Sequence, residues 1–259
     1  MKKPSFFTTD PSIQNKLKER EESISITLDC QVLDNSANKK VFIQLEPPSI
    51  KDFRQDIINN YHLFDLILAW HTDILEACPN AKRFIFGDCW IDIPNFKADK
   101  KNQVSFLMSS KAMTEGHKLR HEVYDFMLKY RNQNYTVAAY KTPPRLPSKD
   151  VVFEQAKFSI IIENEQHDNW ITEKLIDCFV TKTIPIYWGA PNVGEFFDES
   201  GMITFSTLEE LETILNELDM DDYERLSSVI DVNYNKAVKY INFYERVDKE
   251  LDLLLKNNK

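Results

Sequence analysis

The residue types and spacings best suited to chemistry lie between Lys157 and Phe197, in KFSIIIENEQHDNWITEKLIDCFVTKTIPIYWGAPNVGEFF. An apolar run, Phe158 to Ile162, ends in Glu163, Asn164 and Glu165, so polar side chains emerge where a buried strand would finish. In open α/β sheets ligands bind at that carboxyl end. A polar loop then enters a helix with Ile171, Leu175, Ile176 and Phe179 on one face, and Asp168, Asn169 or Thr172 can cap its start. Glu173 and Lys174 fall in the opening turns, beside outward-pointing N–H groups that carry partial positive charge. An anion would be held there, and Lys174 adds a full charge. The strand IPIYW next runs into Gly189-Ala190-Pro191-Asn192, a turn that brings backbone close to whatever fills the crevice.

The elements that must position this segment follow from its surroundings. Ile24 to Leu28, Val41 to Leu45, Leu63 to Trp70 and Arg83 to Ile91 read as strands of a first half. The second half alternates more regularly. Strands are expected at Val104 to Met108, Tyr135 to Tyr140, Phe158 to Ile162, Ile184 to Trp188 and Met202 to Phe205, with helices near His117 to Asn132 and Thr172 to Val180 and a short one before Lys157. Such βα alternation predicts a parallel sheet covered by helices on both faces. From Leu208 the chain reads as helical, with Val238, Ile241, Val247, Leu251 and Leu254 along one apolar face. The polar stretch IDIPNFKADKKNQ, Ile91 to Gln103, is the best linker candidate.

The Lys157 to Phe197 segment resembles the donor-binding signature of glycosyltransferase family 10, the α-1,3-fucosyltransferases. Phe158, Glu163, Asn164, Trp170, Ile171, Thr172, Glu173, Lys174 and Leu175 carry the likeness, followed by Ile184, Pro185, Ile186, Tyr187, Trp188 and Gly189. Trp170 stands where the family usually has Tyr, and Ile162 where an aromatic is common. The resemblance implies that Lys174 contacts the phosphates of GDP-fucose, Glu173 the ribose hydroxyls, and Glu163, Asn164 and Trp170 the rest of the donor. A carboxylate suits a diol and fixed cations suit a diphosphate. The alternative is a solvated Glu-Lys helix face.

Upstream, LRHEVYDFM resembles the family helix that begins with an arginine, which implies Arg120 as a second phosphate cation. The planar guanidinium fork can take two phosphate oxygens together. Its alternative is an exposed arginine pairing with Glu122 or Glu115, and His117 reads as a structural helix-entry residue. VFIQLEPPS resembles the family strand ending in Glu-Ser-Pro, with Pro47 replacing the serine. That implies Glu46 as general base, ionised at neutral pH and able to take the acceptor hydroxyl's proton; equally, Glu46 can be a strand-end residue in turn hydrogen bonds. His71, Asp73 and Asp88 follow strands and are candidate contacts to acceptor or fucose, although each alone suits loop capping.

The expected architecture is α/β and GT-B-like: an acceptor-side Rossmann-like domain at 1–98, a donor-binding one at 99–235, the two facing a cleft, and a C-terminal helix at 236–259 bridging them. The expected reaction is inverting transfer of fucose to a hydroxyl of an oligosaccharide or glycoconjugate. A different GDP-sugar, or a binding protein without catalysis, are the other readings. Composition removes several further classes. Thirty-two Lys and Arg against 41 Asp and Glu leave a net charge of -9, without the basic footprint of a nucleic-acid binder. Five glycines cannot be written as GxGxxG or GxxxxGK[ST]. Cys30, Cys78, Cys89 and Cys178 lack metal or disulfide spacing and read as reduced thiols. The Asp-Met-Asp at 219–221 reads as turn and helix cap, with Asp221 or Asp222 as N-cap, rather than as a metal site. The resemblance implies that Arg120, Lys174 and the helix terminus meet the phosphate charge, so no metal or other cofactor is expected to be obligatory. Neither a secretory signal in MKKPSFFTTDPS nor a transmembrane run is seen, so a cytoplasmic protein is the expected default. The resemblance, to a family whose eukaryotic members carry a membrane anchor, implies a bacterial or viral type or a shortened chain.

Overall fold

The computed structural model describes residues 6–8, 17–19, 23–29, 37–144 and 146–256. The chain divides into two compact units: Met1–Phe86 with Asp168–Trp170 and Asn242–Lys259, and Gly87–His167 with Ile171–Ile241. In the first, strands β1 (Phe6–Thr8), β2 (Ile24–Leu28), β3 (Lys39–Ile43), β4 (Leu66–Ala69) and β5 (Ala81–Arg83) pair in parallel in sequence order. Helices α1 (Arg54–Asn60) and α2 (Thr72–Ala77) lie on the connections. The two-residue period of the strands sorts the side chains. Val41 and Ile43 join Ile24, Ile26 and Leu68 in a core closed by Phe243, Val247 and Leu251 of the C-terminal helix Phe243–Lys256. Phe42, Ile67 and Ala69 join Ile57 of α1 and Ile74 of α2 in another.

The expected strand from Arg83 to Ile91 stops at Arg83. β4 is only four residues long, and Ala81, Lys82 and Arg83 use its partners Ile67, Leu68 and Ala69. The chain then passes to the second unit, where Gly87 N–H bonds Ile171 O at 3.0 Å. Residues 87–98, expected in the first domain or its linker, therefore belong to the second. The C-terminal segment also divides: residues up to Ile241 stay with the second unit, and those from Asn242 join the first.

The second unit holds β6 (Lys101–Ser109), α3 (Glu115–Lys129), β7 (Thr136–Thr142), a 3-10 turn (Lys149–Val152), β8 (Ala156–Ile162), α4 (Glu173–Val180), β9 (Ile184–Trp188) and β10 (Ile203–Thr204). Helices α5 (Leu208–Glu217), α6 (Asp222–Arg225) and α7 (Ser227–Ala237) follow, and the C-terminal helix is α8. All strands run parallel in the order β10-β9-β8-β6-β7. Every residue of β8 is buried, as a central parallel strand requires. Val104, Phe106, Phe158, Ile160, Ile184 and Ile186 pack with Val123 and Met127 of α3 and Leu211 and Leu215 of α5. After β6 the chain crosses through α3 to β7 on one side, whereas after β8 it crosses through α4 to β9 on the other. The winding direction thus reverses between β6 and β8, a topological switch point.

Asp221 occupies the N-cap position of α6 but its side chain bonds no helix N–H. Asp219 instead accepts from Asp221 N at 3.0 Å and pairs with Arg225 at 2.6 Å, so the triplet closes a turn. Cys78, Cys89 and Cys178 are free thiols, and Cys30 lies outside the described residues, as does most of MKKPSFFTTDPS. Among the described residues no helix is long and apolar enough to cross a membrane.

Candidate functional site

At the switch point two helices begin beside the end of β8. Thr172 caps α4, its Oγ1 accepting from Lys174 N at 3.3 Å. Glu163, fully buried, accepts from Thr172 N at 3.1 Å and from Thr172 Oγ1 at 2.7 Å. The last carboxylate of the strand therefore staples the helix start in place. Lys174 reaches back over this staple, with Nζ 3.0 Å from Thr172 Oγ1, 3.2 Å from Glu173 Oε1 and 3.4 Å from Glu163 Oε2.

α3 opens on a capping box: His117 N donates to Thr114 Oγ1 at 3.2 Å, and Thr114 N to His117 Nδ1 at 3.3 Å. Burial, reinforced by the charges of Arg120, Lys111 and Lys174, pushes the His117 pKa down to about 4. Neutral imidazole is what the capping box needs. Gly116 N donates to Asn164 O at 2.9 Å, and a Cβ on Gly116 would overlap the carbonyl oxygen of Glu163. Only glycine lets the helix approach that closely.

One turn further along α3 stands Arg120. Its side chain is not on the solvated face but 4% exposed, with Nε and Nη2 donating to Ile162 O at 2.9 and 2.6 Å and Nη2 to Asn164 Oδ1 at 2.9 Å. Burial pulls its pKa below the ordinary arginine value, against Glu163 and Glu173, which raise it. Arg120 is bonded to Asn164 and Lys174 is paired with the adjacent Glu163, so the two cations converge on one dipeptide. No hydrogen bond from Arg120 Nη1 occurs among the described residues.

Glu173 is 7% exposed. Burial would raise its pKa, but Lys174 and Lys149 hold the carboxyl down to about 2. Lys149, from the 3-10 turn, pairs at 2.6 Å with the fully buried Asp177, one turn along α4 from Glu173. Burial opposes the Lys149 charge, yet Asp177 and Glu173 raise its pKa above the usual lysine value. Asp177 also accepts from Trp90 N at 2.7 Å. Sequence reasoning missed this pair; its signal was an aspartate within the otherwise apolar run LIDCFV. With three cations beside three carboxylates, formal charge cancels, and the α4 N-terminus adds the positive bias.

The remaining candidates are distributed elsewhere. Trp170 belongs to the first unit, 3% exposed between Trp70 (centroids 4.6 Å apart) and Phe86 (6.3 Å), so its ring has no open face for a base. Glu46 follows β3 in the first unit, half-buried, with its backbone N–H bonded to Asp29 at 2.9 Å. His71 is buried as the N-cap of α2, accepting from Asp73 N at 3.2 Å, and its Nε2 lies 3.1 Å from Arg54 Nη1. Asp73 pairs with Arg54 at 3.2 Å on an exposed edge. Asp88, in the second unit, accepts from Cys89 N at 2.9 Å. No group of three or more His, Cys, Asp or Glu set to hold a metal ion occurs among the described residues.

A parallel sheet whose switch point gathers two helix starts, an arginine and a lysine defines an α/β protein suited to an anionic ligand. The family model for glycosyltransferase family 10 (fucosyltransferase), C-terminal part, matches residues 97–229, just over half of the chain. The chain belongs to that family. A segment of 111 residues, 42% of the chain, is 28% identical to the alpha-(1,3)-fucosyltransferase FucT of Helicobacter pylori and spans 18% of that protein's length. A crystal structure of an alpha1,3-fucosyltransferase superposes with a TM-score of 0.54 at 19% identity, covering 91% of this chain and 78% of the other. That likeness bears on the fold alone.

Proposed function

We propose that this protein transfers fucose from GDP-fucose to a hydroxyl of an oligosaccharide or glycoconjugate acceptor, by a single inverting displacement. The observation that carries the reading is the convergence of Arg120 and Lys174 on Glu163-Asn164, beside the α4 N-terminus, in a member of a fucosyltransferase family. The diphosphate is met by Lys174, the unused Nη1 edge of Arg120 and the α4 amides. Glu173, held ionised, accepts from the ribose hydroxyls, and Asn164 lies beside them. Glu163 serves the donor indirectly, through the cap that orients α4.

The acceptor oxygen forms its bond to C1 of fucose as the C1–O bond to the diphosphate breaks and its electron pair leaves on phosphate. The acceptor's proton passes to Glu46. Positive groups already fixed around the departing diphosphate stabilise charge as it develops, which lowers the barrier more than uniform binding would. Phosphate charge is met by side chains and helix amides, so the reaction needs no divalent metal. The test is mass spectrometry of products formed from GDP-fucose, GDP-mannose and UDP-sugars with a library of glycan acceptors, with and without chelator. A fucosylated product of inverted anomeric configuration, unaffected by chelator, supports the reading. Transfer from another donor, or no transfer at all despite GDP binding, removes it.

A further inference from the structure

Asp29 combines three features that are each costly. It is buried, it is ionisable, and its φ of 43° lies in the left-handed region. It sits immediately after β2, and its two carboxylate oxygens each accept a backbone N–H from the neighbouring strand end: Leu45 N to Oδ1 at 2.7 Å and Glu46 N to Oδ2 at 2.9 Å. Those two amides are the last before Pro47 and Pro48, which have no N–H. The preceding amide, Gln44 N, is tied to Leu68 O at 2.9 Å, and the next anchors are Ile50 N and Lys51 N, both on Pro47 O. Between the sheet and that turn, the backbone amides of Leu45 and Glu46 are bonded by Asp29 alone among the described residues, while the Leu45 side chain packs on the core.

We propose that Asp29 is a positioning residue that fixes the backbone of Glu46 for proton abstraction from the acceptor, an inference that rests on the reading of Glu46 as general base. A strand-end brace with no functional role would need only to be stable, and a single bond would serve. Two bonds from one rigid carboxylate to consecutive amides fix both the position and the orientation of the Glu46 Cα. Misplacing a reacting group by about an ångström costs about 100-fold in rate. Burial also pushes the Asp29 carboxyl up to about 6, against its two backbone bonds, with Glu46 raising it and Lys51 lowering it. Protonation near pH 6 turns one of the two acceptor oxygens into a hydroxyl and so removes one of the two bonds.

The test compares Asp29→Asn, Glu46→Gln and the double variant, each checked for a wild-type melting transition and wild-type GDP affinity. Asparagine keeps the size but turns one acceptor into an NH2 group that faces an N–H. D29N should lower kcat by about 10- to 100-fold with KM for GDP-fucose unchanged, and it should lose the acid limb of the kcat profile near pH 6. The double variant should be no slower than E46Q. Wild-type kcat in D29N beside a crippled E46Q overturns the proposal alone, as do losses that multiply in the double variant. Wild-type kcat in E46Q removes the base reading and the proposal together. Should D29N fail to fold, Asp29→Ser, which keeps one acceptor oxygen, is read by the same outcomes.

Discussion

Lys174 and Arg120 carry the same formal charge but are held differently, and substitution should separate them. The Lys174 ammonium sits at the rim of the α4 start, its side chain 23% exposed, so Lys174→Ala opens no buried cavity, and its stability cost comes from the counter-charge that Glu163 and Glu173 lose. Removing one such donor from a developing oxyanion typically costs about 10²–10³ in kcat, and isothermal titration should show weakened GDP binding as well. A K174A enzyme with wild-type turnover would take the lysine out of the mechanism. Arg120 cannot be truncated so cleanly, because its guanidinium bonds a buried carbonyl and Asn164. Arg120→Ala should cost about 1–3 kcal/mol of stability for the orphaned acceptors, measured by urea unfolding, in addition to activity. His117 supplies a pH test. Its folded pKa of about 4 lies below the usual histidine value, so the unfolded chain takes up the proton first as pH falls. Its contribution to stability is complete above about pH 6.5 and is lost progressively down to about pH 4. His117→Gln keeps the capping box but removes this titration. Its urea midpoint should fall less than that of wild type between pH 7.5 and pH 5, and identical slopes would contradict the assignment.

Among the elements, α4 is where sequence and site meet. Its start depends on Thr172, whose hydroxyl accepts from Lys174 N and donates to Glu163. Thr172→Val keeps the shape and deletes both bonds. Loss of an N-cap costs about 1 kcal/mol, and the buried Glu163 carboxylate then loses a partner, so the loss should exceed that of an ordinary cap. Hydrogen exchange should report faster opening of the first turn of α4, together with weaker GDP binding. Unchanged exchange there would mean that Glu163 and the strand end hold the helix without the hydroxyl. α3 is constrained from the other side, through Gly116 against the end of β8. A cap was legible as one of Asp168, Asn169 and Thr172, because such residues before an apolar 3.6-residue period are a local signal, and the structure selects Thr172. The contact of Gly116 was not, since nothing near it in the chain names the strand it meets.

The two units should unfold as separable transitions, so a single free energy does not describe the molecule. Leu251 of α8 is fully buried against Ile24, Val41 and Leu68 of the first sheet. Leu251→Ala should destabilise that unit by about 2–5 kcal/mol. In a Trp90→Phe, Trp188→Phe background, fluorescence follows Trp70 and Trp170 of the first unit; a shift confined to its transition is expected, and an equal shift of both units would count against separate cores. Local chemistry in the sequence determined much of this protein. Strand and helix periods, the βα alternation of the second half, a cap for α4 among three candidates and the family signature are properties of neighbouring residues, readable without a fold. Tertiary structure alone decided the strand order and hence the switch point, the boundary at Phe86 and the docking of α8 on the first sheet. It also decided the burial of Arg120, the Lys149–Asp177 pair and the enclosure of Trp170 by Trp70 and Phe86. Each of these depends on which distant segment supplies a partner, and a buried charge or ring shows its role only once that partner is in contact.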